Sequence, residues 1–454
     1  MRAPSNLFKY ALIATSISLV SGCQPQPQAT ATAAEAPNII FMVGDGMGFE
    51  FISAYRYAHS QLGAGALTPT VFDDLLVGAA TTYPDDATWV TDSAAAATAL
   101  AAGVKSYNGA IGVNAQQQPI TTLMELAKQQ GWGTGAVVSV QVTHATPAAF
   151  FTHHPSRRMY DEIADSYAQQ VSAGQWSFDV LLGGGYSHFD RDDKNWLPEL
   201  SAQGMQIATS VEQLDSLEKT PVLGLFAPLA LPHSIDAEPQ LATMTEHALR
   251  LLSKQQQSTG KPFALMVEGS LIDWCGHAND IACAVHEMAD FAQAIEVVLN
   301  YQRQQPNTLV VITADHSTGG LTLGQGGEYA WHSDKVMAIK GSLEVMTRGL
   351  LERQPNEFRD YLSPLLNLPL NDAQWQRIES VQVPAELTGR ARQAPFAGVL
   401  VEIISEHTRT GWTTTGHTAV DVPVLAIGPG AEKFRGYQDN TEIGQRLMEL
   451  IQQQ

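Results

Sequence analysis

With 454 residues and 44% apolar composition, the chain is long enough for one large α/β domain or two ordinary ones, and it can bury a real core. Its formal net charge of −20 excludes nucleic acid as a specific partner, because phosphate backbones are bound through Lys and Arg. Three cysteines are too few for a disulfide framework.

The chain opens with a leader. Arg2 and Lys9 precede the apolar stretch Ala11–Val20, which is too short to span a bilayer and reads as part of a signal peptide. It runs into Leu19-Val20-Ser21-Gly22-Cys23, which resembles the lipobox of bacterial lipoproteins. That resemblance implies a signal peptide over 1–22, cleavage before Cys23 and a lipid on its thiol. Ordinary cleavage after an Ala near position 34, giving a soluble periplasmic protein, is the alternative. Residues 23–36 begin with that cysteine and continue as a tether rich in Gln, Pro, Ala and Thr. The expectation is an exported, periplasmic protein anchored to the membrane through Cys23.

From residue 37 to 454 the pattern changes. Asn38–Val43 is continuously apolar and stops at Gly44-Asp45-Gly46. Gly135–Val140 leads to His144 and Thr146, Pro262–Val267 stops at Glu268, and Thr308–Thr313 stops just short of Asp315. Runs that do not alternate predict strands covered on both faces, as in a parallel sheet. Helical stretches at Ile120–Gln130, Leu241–Gln257 and Ile281–Gln302 lie between them. The alternation predicts an α/β fold in three layers, a central, mostly parallel sheet flanked by helices. In such sheets ligands bind beyond the carboxyl ends of the strands, where these polar residues gather. Residues 323–410 differ, with charged and Gln-rich stretches, and read as an inserted surface lobe.

Five motifs carry chemistry. In Thr91-Asp92-Ser93-Ala94-Ala95-Ala96, a Ser before an Ala run marks a helix start, where free N–H groups and the helix dipole favour an anion. A plain helix cap would look the same. Asp45 among glycines suits a metal ligand and equally a turn. Asp273 and His277 are four apart, so a helical turn puts carboxylate and imidazole on one face, a pairing that suits zinc. Thr313-Ala314-Asp315-His316 follows an apolar strand, and Thr415-Gly416-His417 precedes the run Val422–Ile427.

Together these motifs, in this order, resemble the alkaline phosphatase family from about Asn38 to Gly436, least across 323–410. The resemblance implies hydrolysis of small phosphate monoesters, with Ser93 as the nucleophile. It implies two zinc ions and one magnesium. Asp45, Asp315 and His316 would hold the zinc that activates Ser93, and Asp273, His277 and His417 the second zinc. Asp45, Thr146 and Glu268 would hold magnesium. Arg157 would clamp phosphate, buttressed by Asp92, with Arg158 the neighbouring alternative. His144 and Trp274 match variable positions where the best-known bacterial members carry Asp and Lys. That departure bears on magnesium affinity and pH optimum, not on the reaction. Family members are usually homodimers.

Charge is consistent with this. Three divalent cations against four ligand carboxylates leave the site about +2 before Ser93 ionises, within a chain of −20. A sulfatase of related fold needs a Cys/Ser-x-Pro-x-Arg run, which Ser93-Ala94-Ala95-Ala96-Ala97 is not. Related phosphodiesterases typically use Thr as nucleophile and lack the magnesium residues. A non-catalytic binding lipoprotein should have lost a ligand or the nucleophile. Two features stay open in the sequence. Cys275 and Cys283 could pair in an oxidising compartment, but on one continuous helix they would sit too far apart. His332 reads as a spare ligand or a surface residue.

Overall fold

In a computed structural model of the chain, residues 36–171 and 174–453 are described, and these described residues form one compact unit. The leader, Cys23 and its tether lie outside the described residues. Among the described residues no helix is long and apolar enough to cross a membrane.

The four apolar runs become the centre of one sheet. Its strands are β1 (Asn38–Gly44), β2 (Leu76–Thr81), β3 (Gly133–Gln141), β4 (Val180–Gly184), β5 (Gln206–Ala208), β6 (Val222–Leu225), β7 (Phe263–Gly269) and β8 (Thr308–Ala314). Four short pieces follow: β9 (Ser317–Thr318), β10 (Thr322–Leu323), β11 (Thr410–Gly411) and β12 (His417–Thr418). Then β13 (Val422–Ile427) and β14 (Gly436–Asp439) complete the set. The ten-stranded sheet runs β14-β2-β13-β8-β1-β7-β3-β4-β6-β5. Pairing is parallel except at β13, which is antiparallel to both β8 and β2. Every residue of β1, β3, β7 and β8 is buried, which is why these strands carry unbroken apolar sequence.

Helices cover both faces. In the first half they are α1 (Phe49–Ala58), α2 (Ser93–Ala102), α3 (Leu123–Gln129), α4 (Ala145–Phe151), α5 (Tyr160–Tyr167), α6 (Tyr186–Phe189) and α7 (Leu197–Ala202). Next come α8 (Leu241–Thr259), α9 (Leu271–His277) and α10 (Ile281–Gln304). The predicted helices correspond to α3, α8 and α10. All ten residues of α2 are buried, and its alanines let a neighbour approach closely. A Cβ on Gly444, in α16 (Asn440–Gln452), would lie 2.6 Å from Leu100 O.

Between β10 and β11 the chain makes an excursion and returns, since Thr322 pairs with Gly411 and Leu323 with Thr410. The excursion holds α11 (Ser333–Ala338), α12 (Leu343–Leu351), α13 (Phe358–Leu366), α14 (Asp372–Glu379) and α15 (Ala394–Thr408). His332 precedes α11, half-buried, and belongs to none of the acidic and imidazole clusters described below. Cys275 and Cys283 lie on two helices rather than one. Asn279 turns at φ 54°, and Asp280 caps α10 by accepting from Cys283 N at 3.1 Å. That break brings the two Cα atoms to 5.5 Å, and the cysteines form a disulfide.

Candidate functional site

β1, β3, β7 and β8 all deliver a polar residue at or just beyond their carboxyl ends. Asp45 follows β1, His144 and Thr146 follow β3, Glu268 sits in β7, and Asp315 and His316 follow β8. All six are buried. The turn after β1 packs against α9. Gly46 has φ +74°, and a Cβ there would lie 2.9 Å from Asp273 Cα, so only glycine fits. Its N–H donates to Asp315 Oδ1 at 3.0 Å, tying the β1 and β8 ends together.

Ser93 opens α2 from the first helical position. The N-cap is Asp92, one residue earlier than the sequence pattern suggested, with its Oδ1 accepting from Ala95 N at 2.9 Å. Asp92 Oδ1 also accepts from Gly109 N, and Asp92 Oδ2 receives Arg157 Nη1 at 3.0 Å. Arg157 Nη2 donates to His144 Nε2 at 3.1 Å. Arg158 is exposed. Burial and the Arg157 charge push the His144 pKa down to about 3, so its imidazole is neutral and free to accept.

Two clusters flank Ser93. Its Oγ lies 3.1 Å from His316 Nε2, and that nitrogen is 3.2 Å from Asp315 Oδ2 and 3.5 Å from Asp45 Oδ1. On the other side, α9 brings Asp273 and His277 to one face as expected, 3.3 Å apart. His417 Nε2 meets Asp273 Oδ1 at 3.6 Å and His277 Nε2 at 3.1 Å, and its ring stacks on His316. The Nδ1 atoms of His277 and His417 donate to the Thr415 and Thr91 carbonyls, at 2.6 and 2.8 Å. Both imidazoles are thereby turned with Nε2 toward Asp273, the orientation a ligating histidine takes.

Whether these residues suit cations is answered by what they lack. Both oxygens of Asp45 and of Glu268, together with Asp315 Oδ2 and Thr146 Oγ1, are buried without a hydrogen bond of good geometry. Thr146 nonetheless faces Glu268. Burial and neighbouring carboxylates raise Asp45 well above the usual range, Glu268 to about 8 and Asp315 to about 7. Burial opposes the Asp273 carboxylate too, but His277, His316 and His417 hold it far below that range. Burial works against His277 as an imidazolium, yet its Asp273 partner raises it to about 9. Buried anions short of hydrogen bonds are costly, and bound cations would relieve that cost. Asp45–Asp315–His316, Asp273–His316–His417 and Asp45–His144–Glu268 each offer ligand atoms within 4.8 Å of one another. These groups differ in part from the expected ligand sets, since His316 joins the second and His144 the third.

One residue escaped the sequence reading. Thr318 Oγ1 donates to Asp273 Oδ1 at 2.5 Å and lies 3.2 Å from His316 Nδ1, joining the two clusters. Its place two residues after His316 was the available signal.

The alkaline phosphatase family model matches residues 36–453. The chain is 40% identical to alkaline phosphatase 3 of Bacillus subtilis over 445 residues, covering 96% of this chain and 94% of that protein. It is 44% identical to a cold-active alkaline phosphatase from the psychrophile Shewanella sp., with TM-score 0.82, covering 91% and 99% of the two chains. It is 26% identical to a histidine-to-glutamate variant of the alkaline phosphatase of the Antarctic bacterium TAB5, whose structure has Mg bound in its M3 site. That match has TM-score 0.66 and covers 92% and 99%. With matches of this kind along nearly its whole length, the chain belongs to the alkaline phosphatase family and is a phosphatase.

Proposed function

We propose that the chain hydrolyses small phosphate monoesters to alcohol and inorganic phosphate through a phosphoserine at Ser93. The observation that carries this reading is the convergence on one hydroxyl. Ser93 Oγ sits at a helix N-terminus, 3.1 Å from His316 Nε2 and beside buried carboxylates whose oxygens are short of hydrogen bonds. The backbone N–H groups of the first turn of α2 favour an anion there. Ser93 Oγ forms the bond to phosphorus as the bond to the alcohol oxygen breaks on the far side, and water then cleaves the phosphoserine. Arg157 uses two N–H groups on Asp92 and His144, which orients the guanidinium and leaves its other donors for phosphoryl oxygens.

Asp45, Asp315 and His316 would hold one zinc, Asp273, His277 and His417 a second, and Asp45, Thr146 and Glu268 a magnesium. Bound there, these ions would supply Lewis acidity at both ends of the displacement and favour the serine alkoxide. The Mg reported for the TAB5 variant supports a divalent cation in this family. Export, the lipid on Cys23 and a homodimer complete the proposal. They rest on the leader motif and the family resemblance, and detergent partitioning of Cys23→Ala tests the anchor. The serine assignment is tested by quenching Ser93→Ala during turnover of a monoester. The variant should form no acid-stable covalent phosphate and lose at least about 10³-fold in kcat. A phosphoenzyme that survives in it would move the nucleophile elsewhere.

A further inference from the structure

Beyond His277 the site opens into space that the phosphoryl chemistry does not use. A cavity of about 440 Å³ lies between α9, the start of α12 and the turn at Gly389–Gln393. A second of about 850 Å³ shares its walls at His233, Trp274, Glu344 and Arg390. Both volumes fall in the range of roughly 300–1,000 Å³ that small-molecule sites occupy.

Direction ties this space to the reaction. In an in-line displacement the leaving oxygen departs on the side opposite Ser93, which on the reading above is the side of Asp273, His277 and His417. His277 and Trp274 also border the first cavity. A group attached to a leaving oxygen on that side has this cavity beside it.

The walls are flat and held in place. Trp274 is half-buried, with its indole edge-on to the His144 ring. The Arg390 guanidinium lies over that indole, 5.5 Å from the ring centroid. Arg390 Nη2 is held by Glu344 at 2.7 Å, and Arg348 flanks the same carboxylate at 3.7 Å. Both guanidiniums share that one carboxylate. The α12 wall is fixed as well. Leu343 N donates to the buried Asp280 at 2.6 Å and Ser342 N to Asp236 at 2.8 Å. Asp280 caps α10, which is joined to α9 by the Cys275–Cys283 bridge. An indole and a guanidinium, both planar, bind aromatic faces by stacking and cation–π attraction, and they offer little to a saturated polar alcohol.

We propose that this cavity is a leaving-group subsite for phosphate monoesters whose alcohol carries a flat aromatic ring, aryl or nucleobase. The subsite rests on the phosphomonoesterase reading and adds its substrate class. It gives the lobe at 323–410 a role, since Glu344 and Arg390 both come from it.

The test measures kcat/KM of the full chain for phenyl phosphate, a nucleoside 5′-monophosphate and ethyl phosphate. Wild type is compared with Arg390→Ala, which removes the stacking cation, and with Ala397→Phe, which fills the cavity from α15. Taking each variant's ratio to wild type, substrate by substrate, cancels the intrinsic reactivity of the leaving group. The ratio should fall about 5- to 20-fold further for a ring-bearing substrate than for ethyl phosphate. A loss confined to phenyl phosphate would seat a ring next to the leaving oxygen, and a loss extending to the nucleotide would seat the base. Either supports the subsite. Equal changes for all three substrates, or none, would overturn it while leaving monoester hydrolysis standing. A wild-type protein that turns over none of the three would overturn the underlying reading as well.

Discussion

The strand ends and the lobe between residues 323 and 410 treat charge in opposite ways. At the strand ends Asp45, Glu268, Asp315 and His316 are fully buried, and five of the six carboxylate oxygens accept no hydrogen bond of good geometry. In the lobe, charges sit at the surface and pair with one another, as Arg359 does with Glu379 at 2.7 Å and Arg377 with Glu406 at 2.6 Å. Exposed pairs of that kind contribute roughly 0–1 kcal/mol each. Buried carboxylates short of hydrogen bonds cost far more, and such groups cluster at functional sites. The contrast separates a region where side-chain identity is dictated by chemistry from one where packing and solubility dominate. At its inner edge the lobe sets Arg390, held by Glu344, over Trp274 of α9.

That division has consequences in kinetics. Arg157→Ala should lower kcat/KM by roughly 10²-fold for every monoester alike, because the proposed clamp would address the phosphoryl group all substrates share. Asp92→Ala should cost less, roughly 10-fold, since Arg157 keeps His144 as a partner while α2 loses its cap. Steady-state rates on two monoesters with different alcohols check both. A loss that depended on the alcohol would erase the distinction between strand ends and lobe.

A smaller effect concerns the loop that presents Arg157. His153 uses both ring nitrogens there, one on Gly112 O at 2.6 Å and one on Glu125 Oε1 at 2.7 Å. Burial opposes the charged imidazole, but these two acceptors raise its pKa above the usual value. Burial likewise opposes the Glu125 carboxylate, while His153 and the Thr122 cap lower its pKa. A raised histidine stabilises the fold below its unfolded pKa of about 6.5, and that contribution fades as pH rises through the folded value. The Glu125 contribution is present above about 4.5 and fades as pH falls. His153→Gln should therefore lower Tm by about 1–2 °C near pH 6, with the gap to wild type closing at alkaline pH. Thermal melts across that range check it, and a gap that widened with pH would reverse the assigned charge.

How far the sequence could be read follows the same boundary. Strands β1, β3, β7 and β8 were visible because burial on both faces leaves an unbroken apolar signature. The shorter β4, β5 and β6 and the edge strand β14 carry too few residues for periodicity to register. At the site, charged residues stood out at strand ends, whereas Thr318 carries a small hydroxyl marked only by its place two residues after His316. Lobe helices α11 to α14 are short and mix polar with apolar positions, so their inward faces became clear only from packing. The cysteine pair depended on one turn at Asn279, which decides between a single helix and two.

The central claim is that buried carboxylates and imidazoles converge on Ser93 to hold cations. Elemental analysis of dialysed, active protein tests it most directly, paired with activity after chelation and after metal is returned. The account expects about two zinc and about one magnesium per chain, loss of monoester turnover on chelation, and recovery when both metals are restored. Full activity in protein stripped of divalent ions would contradict it.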